Sequence, residues 1–376
     1  MPTHFLKTPH HHYRLRNSIW QRLHLDGPLL GGIFALIVVG FIVLYSAGGK
    51  DIDVILRQTS RLILAFSIML IFAQIPPRRY QTWAPWLFSA GTTLLFIVLI
   101  AGHIGKGAQR WLDLGLLRFQ PSEFMKLSVP MMLAWYLHPR SLPPNAKVLL
   151  IACMIIGIPT FLIAKQPDLG TALLIASSGL CVILLTGIRW RLVSFIILLA
   201  SAAAPALWFF MHDYQRERVL TFLNPERDPL GSGYHIIQSK IAIGSGGLFG
   251  KGWLNGTQSH LQFLPEHATD FIFGVCSEEF GLIGNIILIS IYLLIIGRGL
   301  YISVQAQDTF SRLLAGSISL MFFISMFVNM GMVSGILPVV GVPLPLVSYG
   351  GTSMITVIAS FGILMSIQTH RKLISM

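Results

Sequence analysis

Asp270 is the carboxylate whose setting best suits it to move a proton. It lies in Pro265-Glu-His-Ala-Thr-Asp-Phe-Ile-Phe273, where a polar segment passes at once into apolar sequence. A carboxylate at the mouth of an apolar bundle has the chemistry of a general base. The same position also suits a helix N-cap, accepting free backbone N–H groups. Glu123 and Lys126 stand three apart in a mostly apolar stretch, a spacing that lets them pair across one helical turn. Asp168 occupies a corner in Lys165-Gln-Pro-Asp-Leu-Gly-Thr171, and Glu278 and Glu279 follow Asp270 by about two helical turns. Ionisable groups in apolar spans either mark function or link helices within a bundle.

A second chemistry is suggested by cations. Segment 212–269 carries Arg216, Arg218, Arg227, Lys240 and Lys251, and Arg and Lys are the donors suited to a lipid diphosphate. Asp213, Glu217, Glu226 and Asp228 lie among them and allow simple surface charge balance as well. The run Gly244-Ser-Gly-Gly-Leu-Phe-Gly-Lys-Gly252 lacks the Gly-Lys-Ser/Thr ending and the preceding strand of a nucleotide-phosphate loop. Its glycines are expected to permit sharp turns or a close backbone approach. His10, His11 and His12 sit on a polar arm and read as featureless. Cys153, Cys181 and Cys276 lie in or beside apolar sequence and read as small buried hydrophobes.

These residues must be positioned by a membrane bundle. Only 11% of the 376 residues are charged, 54% are hydrophobic and the mean hydropathy is +0.70, against roughly 25% charged in soluble domains. That excludes a soluble enzyme, a disordered chain and a disulfide scaffold, and the basic residues are too dispersed between apolar runs for nucleic-acid binding. Ten stretches can cross a bilayer: 28–47, 60–76, 83–102, 121–137, 147–164, 169–188, 192–211, 271–297, 312–333 and 350–368. The expected architecture is an all-α polytopic membrane protein. A cytoplasmic arm at 1–27 precedes one membrane domain at 28–376, whose large extracytoplasmic loop, 212–269, joins spans seven and eight. The arm precedes an apolar stretch too long for a signal peptide. No charge occurs from Leu313 to Thr369, and the apolar connector Ile336–Pro345, broken by Pro338, Pro343 and Pro345, is expected to pack into protein.

Charge placement sets the orientation. With the amino terminus in the cytoplasm, the inside segments hold fourteen of the 27 basic residues and only Asp26 and Asp308 of the 15 acids. The whole formal charge of +12 then lies on one side, as the positive-inside bias requires. Both termini fall inside, which ten spans satisfy.

Several motifs occur together in one order. Gly105-Lys-Gly-Ala-Gln-Arg-Trp-Leu-Asp-Leu-Gly115 with Phe119-Gln-Pro-Ser-Glu-Phe-Met-Lys126 resembles the shape, elongation, division and sporulation (SEDS) family. So do Gln166-Pro-Asp-Leu-Gly-Thr171, Pro265-Glu-x-x-Thr-Asp-Phe271 and Pro343-Leu-Pro-Leu-Val-Ser-Tyr-Gly-Gly351, and the likeness runs from about Asp26 to the end. Gln74-Ile-Pro-Pro-Arg78, Gly233-Tyr-His-Ile-Ile-Gln-Ser-Lys240 and Gly252-Trp-Leu-Asn-Gly-Thr-Gln258 resemble the elongation branch rather than the division branch. The resemblance implies a ten-span peptidoglycan glycosyltransferase that polymerises lipid II outside the bacterial inner membrane. Its implied partners are a class B penicillin-binding transpeptidase (PBP2-like) and other elongation-complex membrane proteins. The family's essential aspartate falls on Asp270 and its intramembrane acid–base pair on Glu123 and Lys126. Arg110 and Asp168 fall on further motif positions, and Lys106 joins them as a substrate-binding candidate. Where the family often has His two residues before the aspartate, this chain has Ala268 and carries His267 instead.

The implied reaction joins the 4-hydroxyl of a lipid II sugar to the anomeric carbon of an undecaprenyl-linked glycan. It needs one base, for which Asp270 is the candidate, and positive charge for the leaving diphosphate. Arg110, Arg216, Arg218, Lys240 or a divalent cation, Mg or Mn, would supply that charge. Competing readings are a lipid II flippase, against which the lack of a visible internal repeat weighs, a scaffold for the transpeptidase, and a division-type polymerase.

Overall fold

The computed structural model describes residues 23–105, 108–113, 118–188, 213–228, 231–257 and 268–371, with isolated positions 194, 198 and 202. The chain begins with α1 (Gly27–Ala47), α2 (Ile52–Gln74) and α3 (Pro77–Ala101). Three short strands follow, β1 (His103–Gly105), β2 (Ala108–Asp113) and β3 (Arg118–Phe119). Next come α4 (Pro121–Leu137), α5 (Ala146–Lys165) and α6 (Leu169–Leu185). Segment 212–269 contributes α7 (Asp213–Leu223), a 3₁₀ turn (Pro225–Arg227) and α8 (Ser232–Gly246), the short helices expected there. The last helices are α9 (Ile272–Gln305), α10 (Thr309–Val333) and α11 (Thr352–Thr369).

Seven of these helices are long and apolar enough to cross a membrane, and α6 is a shorter apolar helix. With α4 they account for nine of the ten expected spans, α2 beginning eight residues earlier than hydropathy suggested. The seventh span, 192–211, lies almost wholly outside the described residues. The scarce acids have a local use: Asp26, Asp51, Asp168 and Asp308 cap α1, α2, α6 and α10, each accepting a backbone N–H of the first turn.

Helix α4 is buried on nearly every face and packs against α3, α6 and α10. α2 lies along α11, and α9 lies between α10 and α1. Outer faces of α2, α3 and α5 expose Ile63, Trp86, Ile100 and Phe161, side chains suited to acyl chains rather than water. Cys181 and Cys276 are buried as expected, whereas Cys153 is exposed on that outer face of α5, beside exposed Leu150 and Met154.

Two features depart from a plain bundle. The strands form an antiparallel sheet in the order β1-β2-β3, pairing His103 with Trp111 and Leu112 with Phe119, against α3 and α4. Strands of two to six residues carry too little alternation to stand out in sequence. In addition, α9 is interrupted at Gly281, where φ is 62° and ψ −159°. The glycine run fills that break. Lys251 and Gly252 donate to the carbonyls of Glu278 and Glu279, while Leu282 and Ile283 donate to those of Gly247 and Leu248. A Cβ on Gly250 would lie 2.1 Å from the Glu279 carbonyl oxygen, so the glycines serve close backbone approach, as their density suggested.

Candidate active site

Asp270 sits partly buried one residue before the cap of α9, which is Phe271. The N-cap alternative therefore does not describe it. Its main chain is clamped by residues from elsewhere. Asn329, fully buried on α10, donates through Nδ2 to the Asp270 carbonyl at 2.8 Å and to the Val342 carbonyl at 2.7 Å. Ser348 Oγ donates to the Thr269 carbonyl at 2.5 Å, and the Tyr349 N–H donates to the Ala268 carbonyl at 2.8 Å. Helix α10 and the Ser348-Tyr349 pair just past the proline-broken connector thus grip the three residues up to Asp270. Val342 and Leu344 in the connector are buried, as its apolar composition suggested, and so is Leu346 just beyond it. His235 of α8 stacks on Phe271, ring centroids 5.5 Å apart.

Val342 also walls a groove between α4, α6, α10 and α11. Its lining is mainly apolar, including Leu174, Phe322, Pro343 and Val357, with one charged member, Lys126. Lys126 Nζ donates to Glu123 Oε1 at 2.6 Å, with both side chains less than a tenth exposed. The expected i, i+3 pair therefore exists and faces an interior groove, where desolvation makes an ion pair strongly dependent on its partner. Gly341, beside Val342, stands against Asp270: a Cβ there would meet Asp270 Oδ2 at 3.6 Å.

Arg110 and Asp168 are brought together by the sheet. From β2, Arg110 Nε lies 3.6 Å from Asp168 Oδ2, and its Nη2 donates to the Pro167 carbonyl at 2.6 Å. Asp168 caps α6 through the Thr171 N–H at 3.2 Å and accepts from Gln120 at 3.3 Å. The corner continues toward Asp270, because Gly170 packs on the carbonyl of Val340.

Other expected residues separate by role. Lys251 pairs with fully buried Glu278 at 2.7 Å, and the Thr257 N–H donates to the same oxygen at 2.9 Å. Glu279 accepts from Ser46 of α1. These two acids tie the glycine run and α1 to the break in α9, which is polar linkage within the bundle. Lys240, exposed on α8, lies against Gly335 just past α10. Arg216 lies on α7, partly buried. Lys106, His267 and the side chain of Arg218 lie outside the described residues. Among the described residues, no three His, Cys, Asp or Glu side chains converge as a metal cage.

Sequence reading missed Asn329 and assigned no role to Ser348 and Tyr349 within the Pro343–Gly351 motif. An Asn within the uncharged stretch of α10 was the available signal, since a buried amide must find partners.

A bundle of apolar helices with a buried ion pair on a groove between them and a clamped main chain at Asp270 defines a polytopic membrane protein. The chain belongs to the cell cycle protein family of FtsW, RodA and SpoVE, whose model matches residues 28–373. It is 55% identical over 361 residues to the peptidoglycan glycosyltransferase MrdB of Escherichia coli K12, covering 96% of this chain and 98% of that protein. A chain from a solved peptidoglycan synthase complex that coordinates polymerisation and crosslinking matches with a TM-score of 0.81 at 33% identity, covering 93% of this chain and 98% of that one. The rod shape determining protein RodA of Thermus thermophilus matches with a TM-score of 0.70 at 29% identity, over 92% and 98%.

Proposed function

We propose that the chain is a peptidoglycan glycosyltransferase of the elongation type, polymerising lipid II at the outer face of the bacterial inner membrane. The reading is carried by one relationship: Asn329 ties the main chain of Asp270 to Val342, a wall of the groove that holds Lys126. Kinship with a protein named peptidoglycan glycosyltransferase supports the same reaction class. The net positive charge, which the ten-span topology puts on one side, supports cytoplasmic termini and an outward-facing Asp270.

In the reaction, the Asp270 carboxylate takes the proton of the acceptor 4-hydroxyl as its oxygen attacks the anomeric carbon of the lipid-linked glycan. The new C–O bond forms as the bond to the diphosphate breaks, and the electron pair leaves on undecaprenyl diphosphate. An α-linked donor gives a β-linked product, so one inverting displacement suffices. Basic side chains stabilise the departing charge, with Arg110, Lys126, Arg216, Arg218, Lys240 and Lys106 as the candidates. The apolar groove suits a polyprenyl tail, and Glu123 holds Lys126 in place at its wall. Arg110 and Asp168 fix the sheet beside the rim. Mg or Mn would enter with the substrate diphosphate, since the described residues offer no cage of their own. A PBP2-like transpeptidase is the proposed partner, in keeping with the peptidoglycan synthase complex that contains a chain of this fold.

Gel analysis of lipid II polymerisation by wild type and Asp270→Asn, with and without the transpeptidase and with Mg²⁺, Mn²⁺ or chelator, tests this. A well-placed base contributes roughly 10²–10⁴-fold, so Asp270→Asn is expected to fold yet make almost no polymer. Polymer at the wild-type rate from that variant, or headgroup translocation by wild type without polymer, would overturn the proposal.

A further inference from the structure

Arg61 is a charged residue that meets no counter-charge among the described residues. It is the tenth residue of α2, partly buried, preceded by Ser60 and followed by Leu62, Ile63 and Leu64. Among the described residues no carboxylate lies within 4.0 Å of its nitrogens. Its guanidinium instead lies over the Tyr349 ring, 4.7 Å from the centroid. By contrast Arg57, one turn nearer the helix start, is exposed and reaches Asp51 at 4.0 Å. An arginine inside an apolar span is costly and is retained where it meets a ligand or a charge pathway.

Its position relative to Asp270 is fixed by three contacts. The Tyr349 N–H donates to the Ala268 carbonyl at 2.8 Å. Ser348 Oγ donates to the carbonyl of Thr269, the residue before Asp270. Gln58, on the same face of α2, reaches the Ser348 carbonyl at 3.4 Å. The ring that carries Arg61 is therefore one hydrogen bond from the segment leading into the candidate base. Two residues without side chains stand beside it: a Cβ on Gly351 would touch Arg61 Cζ at 3.9 Å, and one on Gly350 the Ser348 carbonyl oxygen at 3.9 Å.

We infer that Arg61 binds the diphosphate of the polyprenyl-linked substrate, an assignment that rests on the polymerase reading and adds a residue to it. Depth favours the diphosphate over the sugars or the peptide. Arg61 stands where the polar run Arg57-Gln58-Thr59-Ser60 of α2 gives way to its apolar part, the depth at which a lipid tail meets its headgroup, whereas sugars and peptide extend away from the membrane. The guanidinium fork matches phosphate oxygens in a bidentate manner that a lysine does not reproduce.

The test uses the full chain in phosphatidylcholine nanodiscs, with undecaprenyl diphosphate, undecaprenyl monophosphate, undecaprenol, phosphatidylglycerol and inorganic pyrophosphate as probes, read by native mass spectrometry. Arg61→Gln is expected to weaken undecaprenyl diphosphate binding at least tenfold and leave undecaprenol unchanged, with Arg61→Lys between the two. Gly351→Val keeps the arginine but fills the space beside it, and is expected to weaken diphosphate binding as well. Pyrophosphate competition in wild type that disappears in Arg61→Gln would also support the site. Equal diphosphate affinity in wild type and both Arg61→Gln and Gly351→Val would overturn it. So would a parallel loss of undecaprenol binding, or a preference for phosphatidylglycerol over the diphosphate. Because binding is read without turnover, an active Asp270→Asn would remove the proposed catalytic role and leave this result standing.

Discussion

One amide nitrogen of Asn329 bonds the carbonyls of both Asp270 and Val342, residues on opposite sides of α10 in the chain. Asn329→Asp offers acceptors where two donors are needed, and Asn329→Leu offers neither. Each carbonyl left buried and unpaired costs about 1–3 kcal/mol. Both variants are expected to lose thermal stability in detergent and to polymerise lipid II at least tenfold more slowly. Activity that is unchanged in the Leu variant would separate the clamp from the chemistry.

The Glu123–Lys126 pair distinguishes a structural role from a functional one. Removing one partner of a buried pair costs about 3–5 kcal/mol, while replacing both by apolar groups is often neutral. Glu123→Met and Lys126→Met singly are expected to fold poorly. The double variant is expected to recover wild-type melting but no polymerisation, because Lys126 is the charge on the groove wall. A fully active double variant would make the pair simple bundle linkage.

Gly281 should tolerate no side chain. At φ 62°, an added Cβ would lie 2.4 Å from the Gly250 nitrogen. Gly281→Ala is expected to abolish the folded protein, judged by monodisperse yield after extraction. Gly157 on α5 has nothing within 4 Å of an added Cβ, so Gly157→Ala is expected to be neutral or to stabilise by about 0.5–1 kcal/mol.

At the other end of the bundle, His24 stacks on His370 with centroids 4.0 Å apart, and its Nδ1 lies 3.1 Å from Thr369 Oγ1. Burial, and secondarily the His370 ring, lower the His24 pKa from its ordinary 6.5. The folded chain then binds fewer protons here than the unfolded chain, so this contribution is present above 6.5 and is lost as pH falls below it. Melting temperature should drop between pH 7.5 and 5.5 by more in wild type than in His24→Gln. An equal drop would show that other groups set the acid response.

The sequence by itself determined the apolar helices found among the described residues and the local pairs, and its charge placement gives the expected orientation. Apolar runs long enough for a bilayer, lysines and arginines on alternate connections and the i, i+3 spacing of Glu123 and Lys126 all act over a few residues, where helix geometry dictates the outcome. The glycine run was likewise legible as a close backbone approach, though not what it approaches. Tertiary structure alone decided that Asn329 reaches across 59 residues to Asp270, that Arg61 sits on Tyr349, that Arg110 meets Asp168 and that Gly250 fills the break in α9. These contacts depend on which helices pack side by side. Their partners are distant in the chain, and a polar group of either partner looks the same in sequence whether it meets the other or meets lipid headgroups.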